Sequence, residues 1–431
     1  MKQNIAIIGA GISGLGAAFA LYPHHHITLY EQENWLGGHA HTVTTPQGDA
    51  VDTGFIVFNQ HTYPNFLQLM QHLGVSISKS DMSLAVSLQQ QKIEYASDSL
   101  RSLFPSVARL IDPLHWKMLL DIPRFYHLAN KALKSEKIQH LSLKEWLEQH
   151  HLAGVFAQRH LQPLAAAIWS ADMNGVNDFP AFTFLQFFKQ HGLLNPPNRQ
   201  FPWFTIHEGS RSYVNTLLAT MPQLTLQKKA THISRTPSHI TIHNLDGEQH
   251  NYDQVIFATH PNQTLKLLTE CTPAEQQILQ AIHHRTNKVI LHQDSSLMPK
   301  NRRIWASWNV SDSIINQHQT HYQITYWMNR LQPHLKNKPN YFVTLDPRQP
   351  INPKLIIEEY NYAHPQLTQN AINAQNQLPT IQGKNRSWFC GAWTAYGFHE
   401  DGLTSGLNVA EKLGAQLPFT PIYPNRATNT P

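Results

Sequence analysis

The sequence has few cysteines, few charged side chains and no long apolar run. Its 431 residues include two cysteines, Cys271 and Cys390, which excludes a disulfide framework and predicts a reducing compartment. No stretch approaches the roughly 18 apolar residues that span a bilayer, and a strand pattern starts at Asn4 without a signal peptide. The sequence therefore predicts a cytoplasmic protein, with peripheral contact at the inner face of the membrane left open.

The charge pattern limits the partners further. The 33 Lys and Arg residues exceed the 28 Asp and Glu residues, for a formal net charge of +5. The basic residues are scattered and form no run of the kind that binds nucleic acid, so no nucleic-acid partner is predicted. The chain is longer than one ordinary core requires, so we expect two domains.

The first positive signal is a glycine motif near the start of the chain. A β-branched run at residues 5–8 leads into Gly9-x-Gly11-x-x-Gly14, followed by a helical stretch of small residues. A second strand ends at Glu31, about 20 residues further on, where an acid accepts the ribose hydroxyls of a dinucleotide. The glycines permit a tight turn and the close approach of a diphosphate to a helix N-terminus. This pattern predicts a dinucleotide-binding βαβ unit.

The residues after Glu31 distinguish flavin from nicotinamide binding. They read QENWLGGHAHT, with Gly37 and Gly38 followed by His39. The segment resembles the second fingerprint, Gly-Gly-Arg, of the FAD-dependent amine oxidases, phytoene desaturases and protoporphyrinogen oxidases. His39 replaces the arginine, and an imidazole is a poorer diphosphate partner than a guanidinium, which leaves the glycine amides to serve. An H-x-H metal pair with His41 lacks a third ligand nearby, so no metal is predicted.

Further segments resemble the same family, in the same order along the chain. Residues 51–55 resemble the Asp-x-Gly segment beside the flavin ring, residues 208–210 the return to the cofactor domain, and residues 253–261 a buried strand ending in Ala-x-x-Pro. Residues 386–393 resemble the last strand. The resemblance implies FAD, bound non-covalently, with these residues at its site: Gly9, Gly11, Ile12, Ser13, Gly14, Glu31, Gln32, Gly37, Gly38, His39, Gly54, Phe55, His232, Ile233, Ala258, Gly391, Phe398, His399, Glu400, Asp401, Gly402 and Leu403.

The motif GFHEDG, which begins at Gly397, admits three interpretations: a metal site, an acid/base dyad or a backbone cradle. It resembles the family's Gly-x-x-Glu-Gly, which opens a helix whose N-terminus points at the flavin pyrimidine. Adjacent side chains diverge at a helix start, whereas acids there suit the helix dipole. We therefore predict that Phe398 and His399 abut the isoalloxazine and that backbone N–H groups face O2. Glu400 or Asp401 is expected to steady the loop or the ribityl chain.

Lys288 is the candidate catalytic residue. It lies in the stretch NKVIL, which resembles a strand of the amine oxidases whose lysine reaches the flavin N5 through a water. A cation there would favour electron density entering the ring. The alternative is a lysine at a strand edge in solvent, and the sequence leaves both open.

The resemblance implies an α/β fold with a discontinuous Rossmann-type FAD-binding domain, like that of glutathione reductase. An α+β substrate-binding domain like that of the amine oxidases would interleave with it. We predict the FAD-binding domain from residues 1–80, 205–265 and 385–417, and the substrate-binding domain from residues 81–204 and 266–384. The Pro-rich tail, residues 418–431, is expected to be disordered.

Local patterns predict several elements inside these limits. Apolar spacing predicts a helix over Tyr63 to Leu73. Ser142 and Glu145 form a capping box, and Thr272 caps another helix with a proline at its first position. The stretch from about Leu84 to Trp203 has a helical and aromatic pattern without a catalytic motif.

A closer resemblance is to a bacterial subfamily of FAD-dependent amine-oxidase-like proteins, on segments such as LGGHAHT, VDTGFIVFN and GFHEDGL. Their genes often lie beside those of cyclopropane-fatty-acid-synthase-like methyltransferases, and some relatives desaturate methylated fatty acyl chains. The resemblance implies an enzyme that moves a hydride from a substrate C–H bond to flavin N5, acting on a hydrophobic small molecule such as a lipid. Side chains compatible with an apolar pocket are Trp169, Phe184, Phe187, Phe188, Trp203, Phe204, Trp305, Trp308, Tyr326 and Trp327.

Three other functions stay open at this point. The first is a flavin amine oxidase, and the second is a redox-neutral isomerase that uses reduced flavin. The third is a non-catalytic FAD-binding partner that presents an acyl chain to a lipid-modifying methyltransferase.

Overall fold

The computed structural model describes residues 2–88, 92–169, 177–196, 201–316 and 319–423. The strands are β1 Asn4–Ile8, β2 His26–Tyr30, β3 Thr42–Thr44, β4 Ala50–Asp52, β5 Phe58–Asn59, β6 Ile77–Ser80, β7 Leu84–Leu88, β8 Ile93–Ala96, β9 Trp203–Ile206, β10 Thr225–Gln227, β11 Ala230–Arg235, β12 Ile240–Asn244, β13 Gln249–Tyr252, β14 Gln254–Phe257, β15 His284–His292, β16 Trp308–Asn316, β17 Gln319–Trp327, β18 Phe342–Leu345, β19 Ile356–Pro365 and β20 Ser387–Phe389.

Helices lie between and beside these strands. They are α1 Ile12–Leu21, α2 Pro64–Leu73, α3 Leu100–Leu103, α4 Val107–Leu110, α5 Pro113–Ala132, α6 Leu143–Gln149, α7 Gln162–Trp169, α8 Ala181–Gln190, α9 Arg211–Ala219, α10 Pro261–Leu267, α11 Pro273–Gln280, α12 Met328–Leu331, α13 Gln369–Gln377 and α14 His399–Lys412. The capping box predicted at Ser142 with Glu145 and the N-cap predicted at Thr272 are confirmed.

A five-stranded parallel sheet carries the glycine motif. Its strand order is β10-β2-β1-β14-β20, and β1 runs along the middle with Ile5 paired to Ile27 on one side and to Gln254 on the other. The β-branched residues of β1 are buried on both faces, as parallel strands covered on both sides require. All five strands come from the segments predicted to form the FAD-binding domain; the exact limits of that domain stay a prediction.

A second, seven-stranded sheet has the order β19-β15-β18-β17-β16-β7-β8 and is antiparallel except where β16 pairs with β7. The sequence pattern predicted helix from Leu84 onward, and this was wrong for β7 and β8. Leu84 pairs with Trp308, far along the chain. β7 pairs with β16 on one edge and β8 on the other, and all five of its residues are buried. Its short apolar run therefore forms a buried strand.

Glycines let α1 and α14 cross at very short distance. A Cβ on Gly402 would lie 2.8 Å from Ile12 Cγ2, and one on Gly406 would lie 2.1 Å from the Ser13 carbonyl oxygen. On the other helix, a Cβ on Gly16 would lie 2.7 Å from Leu403 Cδ1. The two helix N-termini are therefore held side by side at the carboxyl end of the parallel sheet.

The start of the tail is ordered against α2, which corrects the expectation of disorder for residues 418–423. Ile422 N donates to Asn65 Oδ1 at 2.7 Å, and Asn65 Nδ2 donates back to the Ile422 carbonyl oxygen at 2.8 Å. The rest of the predicted tail lies outside the described residues. Among the helices that the structure describes, none has the length and apolar character needed to cross a bilayer.

Candidate functional site

The N-terminus of α1 is open to a ligand. Its N-cap is Gly11, no side chain caps the helix, and its first turn contains no acid. A Cβ on Gly11 would meet no atom of the protein within 4 Å, whereas a Cβ on Gly9 would lie 2.8 Å from the Ala258 carbonyl oxygen. Gly9 also has φ of +103°, a backbone conformation that only glycine adopts readily. The helix start therefore offers free N–H groups and empty space to an anion such as a diphosphate.

Glu31 joins the strand β2 to the glycine loop. Its Oε2 accepts a hydrogen bond from Ala10 N at 2.7 Å, and its Oε1 accepts from Gln32 N at 2.7 Å and Glu33 N at 3.0 Å. The carboxylate is thus placed at the carboxyl end of β2 beside the glycine loop, where the ribose of a dinucleotide lies in this class of fold.

The second glycine segment packs directly on the first. Gly37 N donates to the Ala10 carbonyl oxygen at 2.8 Å, and a Cβ on Gly38 would lie 3.0 Å from Gly11 Cα. Behind it, Phe55 N donates to the His39 carbonyl oxygen at 2.6 Å, and Gly54 approaches the same carbonyl. The structure therefore brings three separately predicted segments together around one space.

His39 follows the second glycine pair and has a buried ring that is neutral at pH 7. Burial lowers its pKa to about 4, so it does not supply the charge of the family's arginine. Its Nε2 is buried and has no hydrogen-bond partner among the residues described. The ring lies 4.9 Å from that of Tyr362 and 5.4 Å from that of His364. A buried ring nitrogen without a partner is a vacant hydrogen-bonding position for a bound molecule.

The GFHEDG motif starts α14, with Phe398 as N-cap. Asp401 Oδ2 accepts hydrogen bonds from Phe398 N at 3.0 Å and Tyr396 N at 3.2 Å. Glu400 instead reaches the start of α2, where its two oxygens accept from Asn65 N and Phe66 N, both at 2.9 Å. Both acids therefore hold protein backbone, as the backbone interpretation of the motif requires; the predicted contact of either with the ribityl chain stays a prediction.

His399 is packed into the cofactor-domain core. Its ring stacks on Phe55 with centroids 3.8 Å apart, and its Nε2 shares a hydrogen bond of 2.7 Å with the Tyr213 hydroxyl. Burial lowers the pKa of His399 well below its usual value. A neutral imidazole with its Nε2 occupied positions the start of α14 and is poorly suited to general base catalysis.

The remaining predicted residues fall into two groups. Gly391 N donates to Ser405 Oγ at 2.8 Å, which ties the end of β20 to α14, and Ala258 lies against the glycine loop. Ile233 is buried in a separate core, and the exposed ring of His232 shares a hydrogen bond with Thr269. These contacts do not connect His232 or Ile233 to the glycine loop, and their contact with adenine stays a prediction.

Lys288 lies on the solvent side of β15. Its Nζ pairs with Glu359 Oε2 of β19 at 2.8 Å, and half of its side chain is exposed. Its neighbour Asn287 points inward and is 1% exposed; its Oδ1 shares a hydrogen bond with His364 Nδ1 at 3.0 Å. Because side chains alternate along a strand, this geometry favours the solvent alternative for Lys288 over the flavin-facing one.

Sequence reasoning missed a buried polar network at the junction of the two sheets. Asp52 is fully buried and accepts hydrogen bonds from Thr42 Oγ1 at 2.6 Å, Ser210 N at 2.9 Å and Gln332 Nε2 at 2.8 Å. Burial raises the pKa of Asp52 to about 6 against these donors. The hydroxyl of Tyr362, on β19, shares a hydrogen bond of 2.7 Å with Thr53 Oγ1. Gln332 and Tyr362 come from distant sequence, and no motif identifies either.

The aromatic residues predicted to line one pocket separate into several clusters. Trp305 packs with Trp327, Trp308 packs on Tyr326, and Trp203 and Phe204 join the cofactor-domain core. The remaining four residues pack together, and we call them the aromatic cluster: Trp169, Phe184, Phe187 and Phe188. Tyr396 and Phe398 pack against this cluster.

These residues define a dinucleotide-binding protein of the Rossmann class, with the ligand at the carboxyl end of a parallel sheet. Residues 12–334 match the family described as flavin containing amine oxidoreductase. The chain belongs to this family, and its cofactor is FAD. The open start of α1, the space above Gly11 and the unpartnered His39 Nε2 fit that cofactor.

Solved structures of the same fold are similar over nearly the whole chain. A CLA-producing fatty acid isomerase from P. acnes has a TM-score of 0.65 at 16% identity, covering 95% of this chain and 98% of the isomerase. A putative protoporphyrinogen oxidase from Exiguobacterium sp. 255-15 has a TM-score of 0.67 at 15% identity, covering 96% and 99%. Putrescine oxidase bound to putrescine has a TM-score of 0.66 at 14% identity, covering 96% and 100%.

A sequence match to a curated relative is much shorter. Over 74 residues the chain is 35% identical to zeta-carotene desaturase of Zea mays, which is 17% of this chain and 13% of the desaturase. The chain therefore matches a small part of the length of that relative.

The protein is an FAD-dependent oxidoreductase, and bound FAD supplies a two-electron acceptor at N5. The loop at Gly9 and Gly11 would hold the diphosphate and Glu31 the ribose. The start of α14 would place helix-dipole charge at the flavin pyrimidine. Among the described residues, no group of three or more His, Cys, Asp or Glu side chains has the arrangement of a metal site.

Proposed function

We propose that this oxidoreductase acts on a lipid, removing a hydride from a C–H bond of a fatty-acyl chain and a proton from the neighbouring carbon to leave a double bond. The hydride would carry both electrons to flavin N5, and the proton would leave to solvent. An acceptor such as oxygen or a quinone would then take the two electrons from the reduced cofactor. Tight alignment of the carbon with N5 and exclusion of water are the main demands of this chemistry.

The observation that carries the proposal is the position of Phe398. It is the N-cap of α14 and packs against both the cofactor-domain core and the aromatic cluster. Its ring lies 5.0 Å from that of Phe187, and Phe187 lies 4.6 Å from Trp169. Apolar packing thus continues from the start of α14 into the region predicted to bind the substrate, which suits an acyl chain.

The buried acids support a lipid over an amine. An ammonium group entering an apolar site needs a carboxylate partner to offset its desolvation. Asp52, Glu400 and Asp401 all accept hydrogen bonds from the protein itself. His191, which stacks on Phe187 at 3.7 Å, has its pKa lowered to about 4 by burial and is neutral. The site therefore favours an uncharged substrate segment.

Anaerobic mixing of the FAD-loaded protein with candidate substrates tests the proposal. Acyl lipids are expected to bleach the flavin absorbance at about 450 nm, whereas putrescine and aromatic amines should leave this absorbance unchanged. Bleaching by amines alone would overturn the lipid proposal in favour of an amine oxidase. A rearranged acyl product without net bleaching would identify an isomerase, a function suggested by the fold shared with the fatty acid isomerase. A protein that neither bleaches nor yields product would be a non-catalytic partner.

Two neighbouring residues of α8 provide a matched pair of variants. Phe187 and Phe188 are each 1% exposed, but Phe187 faces Phe398 and Phe188 packs on Phe125 at 6.1 Å. Phe187→Leu is expected to raise KM for an acyl substrate by about tenfold, because a hydrophobic contact of this size contributes 1–3 kcal/mol. Phe188→Leu should lower stability similarly without changing KM. Equal KM effects would contradict a binding role that is specific to Phe187 and its contact with Phe398.

A further inference from the structure

The helices between residues 100 and 120 expose an unusual share of apolar surface. Of the eleven large hydrophobic side chains exposed in the described part of the chain, seven lie in this stretch. Leu100, Val107, Ile111 and Leu120 are each at least 70% exposed. A concentration of exposed apolar side chains of this kind on a folded protein marks an interaction site. We call it the 100–120 surface.

The exposure is built into ordered helices. Ser99 and Ser102 form a capping box at the start of α3, and Asp112 caps α5 by accepting from Leu114 N at 2.9 Å. Trp116, 44% exposed, donates from Nε1 to the Leu110 carbonyl oxygen at 2.7 Å. The apolar side chains are therefore held outward by a fixed backbone, with a tryptophan that has both an apolar and a polar end at their centre.

The opposite face of α5 is firmly buried, so the outward orientation of this helix is set by its core. Met118, Phe125 and Ala129 are at most 1% exposed. Phe125 and Ala129 lie in the same hydrophobic core as the aromatic cluster. The exposed side of α5 carries side chains at helical spacing, namely Trp116, Leu120 and residues 117, 124 and 131.

The exposed charge around this surface is positive. Residues 100–134 contain six Lys and Arg residues and two Asp residues. Asp112 pairs with Arg109 and Arg159, and Asp121 pairs with Lys117 and Arg124. The two Asp side chains are 16% and 8% exposed, whereas those of Lys117 and Arg124 are 53% and 44% exposed. Apolar and basic side chains thus alternate on one outward face.

We propose that the 100–120 surface docks the protein on an anionic lipid bilayer. Its apolar side chains would enter the headgroup boundary, and its Lys and Arg side chains would contact lipid phosphates. Apolar residues, a tryptophan and basic residues on one helix face are the pattern of a helix that lies in the interface plane. A second copy of the chain fits less well, because a symmetric contact would oppose basic residues to basic residues. Docking goes beyond the proposed function and needs no turnover.

Vesicle sedimentation of the FAD-loaded full chain tests the docking. Binding to vesicles of phosphatidylcholine mixed with phosphatidylglycerol is expected to be at least about tenfold stronger than to phosphatidylcholine alone, and to weaken with added salt. The double variant Ile111→Ser/Leu120→Ser should lose at least about tenfold in binding. The matched control Leu226→Ser/Leu245→Ser changes two exposed leucines elsewhere and should bind like the unmodified protein.

The basic residues have their own pair of variants. Arg101→Gln/Lys131→Gln should weaken binding to anionic vesicles about tenfold, and Lys336→Gln/Lys354→Gln, also exposed, should not. Hydrogen exchange of the unmodified protein with and without vesicles measures the same contact without a variant: protection is expected in residues 100–120 and not in residues 226–245.

Three outcomes would overturn the proposal. One is equal vesicle binding by the Ile111→Ser/Leu120→Ser variant and its control, with FAD content and circular dichroism unchanged. Another is the absence of vesicle binding together with a dimer in solution that this variant dissolves, which would assign the surface to a second copy. The third is the absence of vesicle binding together with stoichiometric binding of a purified partner protein that the same variant abolishes.

Discussion

The two helices that meet at the cofactor site, α1 and α14, begin in opposite ways. α1 starts at Gly11 with no capping side chain and no acid in its first turn. α14 starts at Phe398 with Glu400 and Asp401 in its first turn, and both acids accept backbone hydrogen bonds. Two helix N-termini packed side by side therefore differ in what they leave for a ligand.

We call the start of α1 the binding end, because it is left open to a ligand, and the start of α14 the holding end, because its acids bind protein backbone. An uncapped N-terminus leaves its first N–H groups and its positive dipole end to an anion. At α14 the acids already accept backbone hydrogen bonds. Asp401 accepts from Phe398 N at the start of α14, and Glu400 accepts from Phe66 N of α2. We infer that α1 takes the charged diphosphate, whereas α14 fixes the geometry around the flavin ring and contributes only partial charge to it.

Glycine replacements on α1 give the largest expected effects. A Cβ on Gly14 would lie 1.9 Å from the Gly9 carbonyl oxygen, so Gly14→Ala should destroy the loop and prevent folding of the cofactor domain. Gly11→Ala meets no protein atom within 4 Å, so the apoprotein should keep its melting temperature. FAD affinity should nevertheless fall at least about tenfold, because the methyl group would occupy space needed for the close approach of the diphosphate.

Thermal melts of the apoproteins and titration with FAD separate the two effects. A Gly11→Ala protein that binds FAD as tightly as the unmodified chain would contradict the assignment of α1 as the binding end. A stable, FAD-loaded Gly14→Ala protein would contradict the packing of the loop.

Acidification is the next largest effect and acts through the neighbouring buried rings of His39 and His364. Burial lowers the pKa of His39 to about 4 and of His364 to about 3. Such groups favour folding fully above the unfolded pKa of about 6.5, and this contribution is lost as the pH falls toward 4. The two shifts amount to roughly 3–5 kcal/mol each, against a total stability of about 5–15 kcal/mol. Burial raises the pKa of Glu400 to about 7 and that of Asp52 to about 6, which acts in the opposite sense below pH 7. The buried histidines with a lowered pKa outnumber these two carboxyl groups.

The expected result is a melting temperature that falls steeply between pH 6.5 and 4, the window set by the lowered histidine pKa values. Differential scanning fluorimetry of the FAD-loaded protein across this range measures it. His39→Asn should flatten the slope, since one of the titrating groups is removed. A melting temperature that is constant over the window would contradict the burial of these rings.

The start of the chain and the glycine segments could be predicted from sequence because they depend on local chemistry. Residue types at fixed spacing predict the β1 to α1 turn, the two glycine segments and the helix caps. GFHEDG also has a local reason, since acids and glycines at a helix start suit backbone contacts. The identification of the family rested on the same segments.

The remaining features depend on partners that are distant in sequence. β7 became a strand because it pairs with β16, and nothing local distinguishes its apolar run from a helix. Gln332, Tyr362 and His364 reach the site only because two sheets meet there. The aromatic residues have no pattern that assigns them to one cluster or another. Exposure of the 100–120 surface likewise depends on which face of α5 the core takes.

Replacement of Glu400 gives a smaller expected effect and tests the holding end directly. Glu400→Gln keeps the shape but presents an N–H group to one of the two N–H donors of α2. Loss of that hydrogen bond should lower the free energy of unfolding by about 1–3 kcal/mol, while FAD affinity changes little. Urea unfolding measures the stability, and Glu270→Gln, at an exposed position, serves as the control. A loss of FAD binding without a loss of stability would place Glu400 on the cofactor instead.

The smallest effect is expected at Lys288, which lies away from both helix starts. Its ion pair with Glu359 is half exposed on each side, and such pairs contribute about 0–1 kcal/mol. Lys288→Met should therefore keep FAD content and change flavin reduction less than about twofold. Asn287→Ala, one residue earlier on the same strand, removes a buried side chain that binds Asp346 and His364 and should lower stability by about 1–3 kcal/mol. If Lys288→Met instead slows flavin reduction more than about tenfold with FAD intact, a lysine must reach the ring during turnover, and the holding end would include β15 as well as α14.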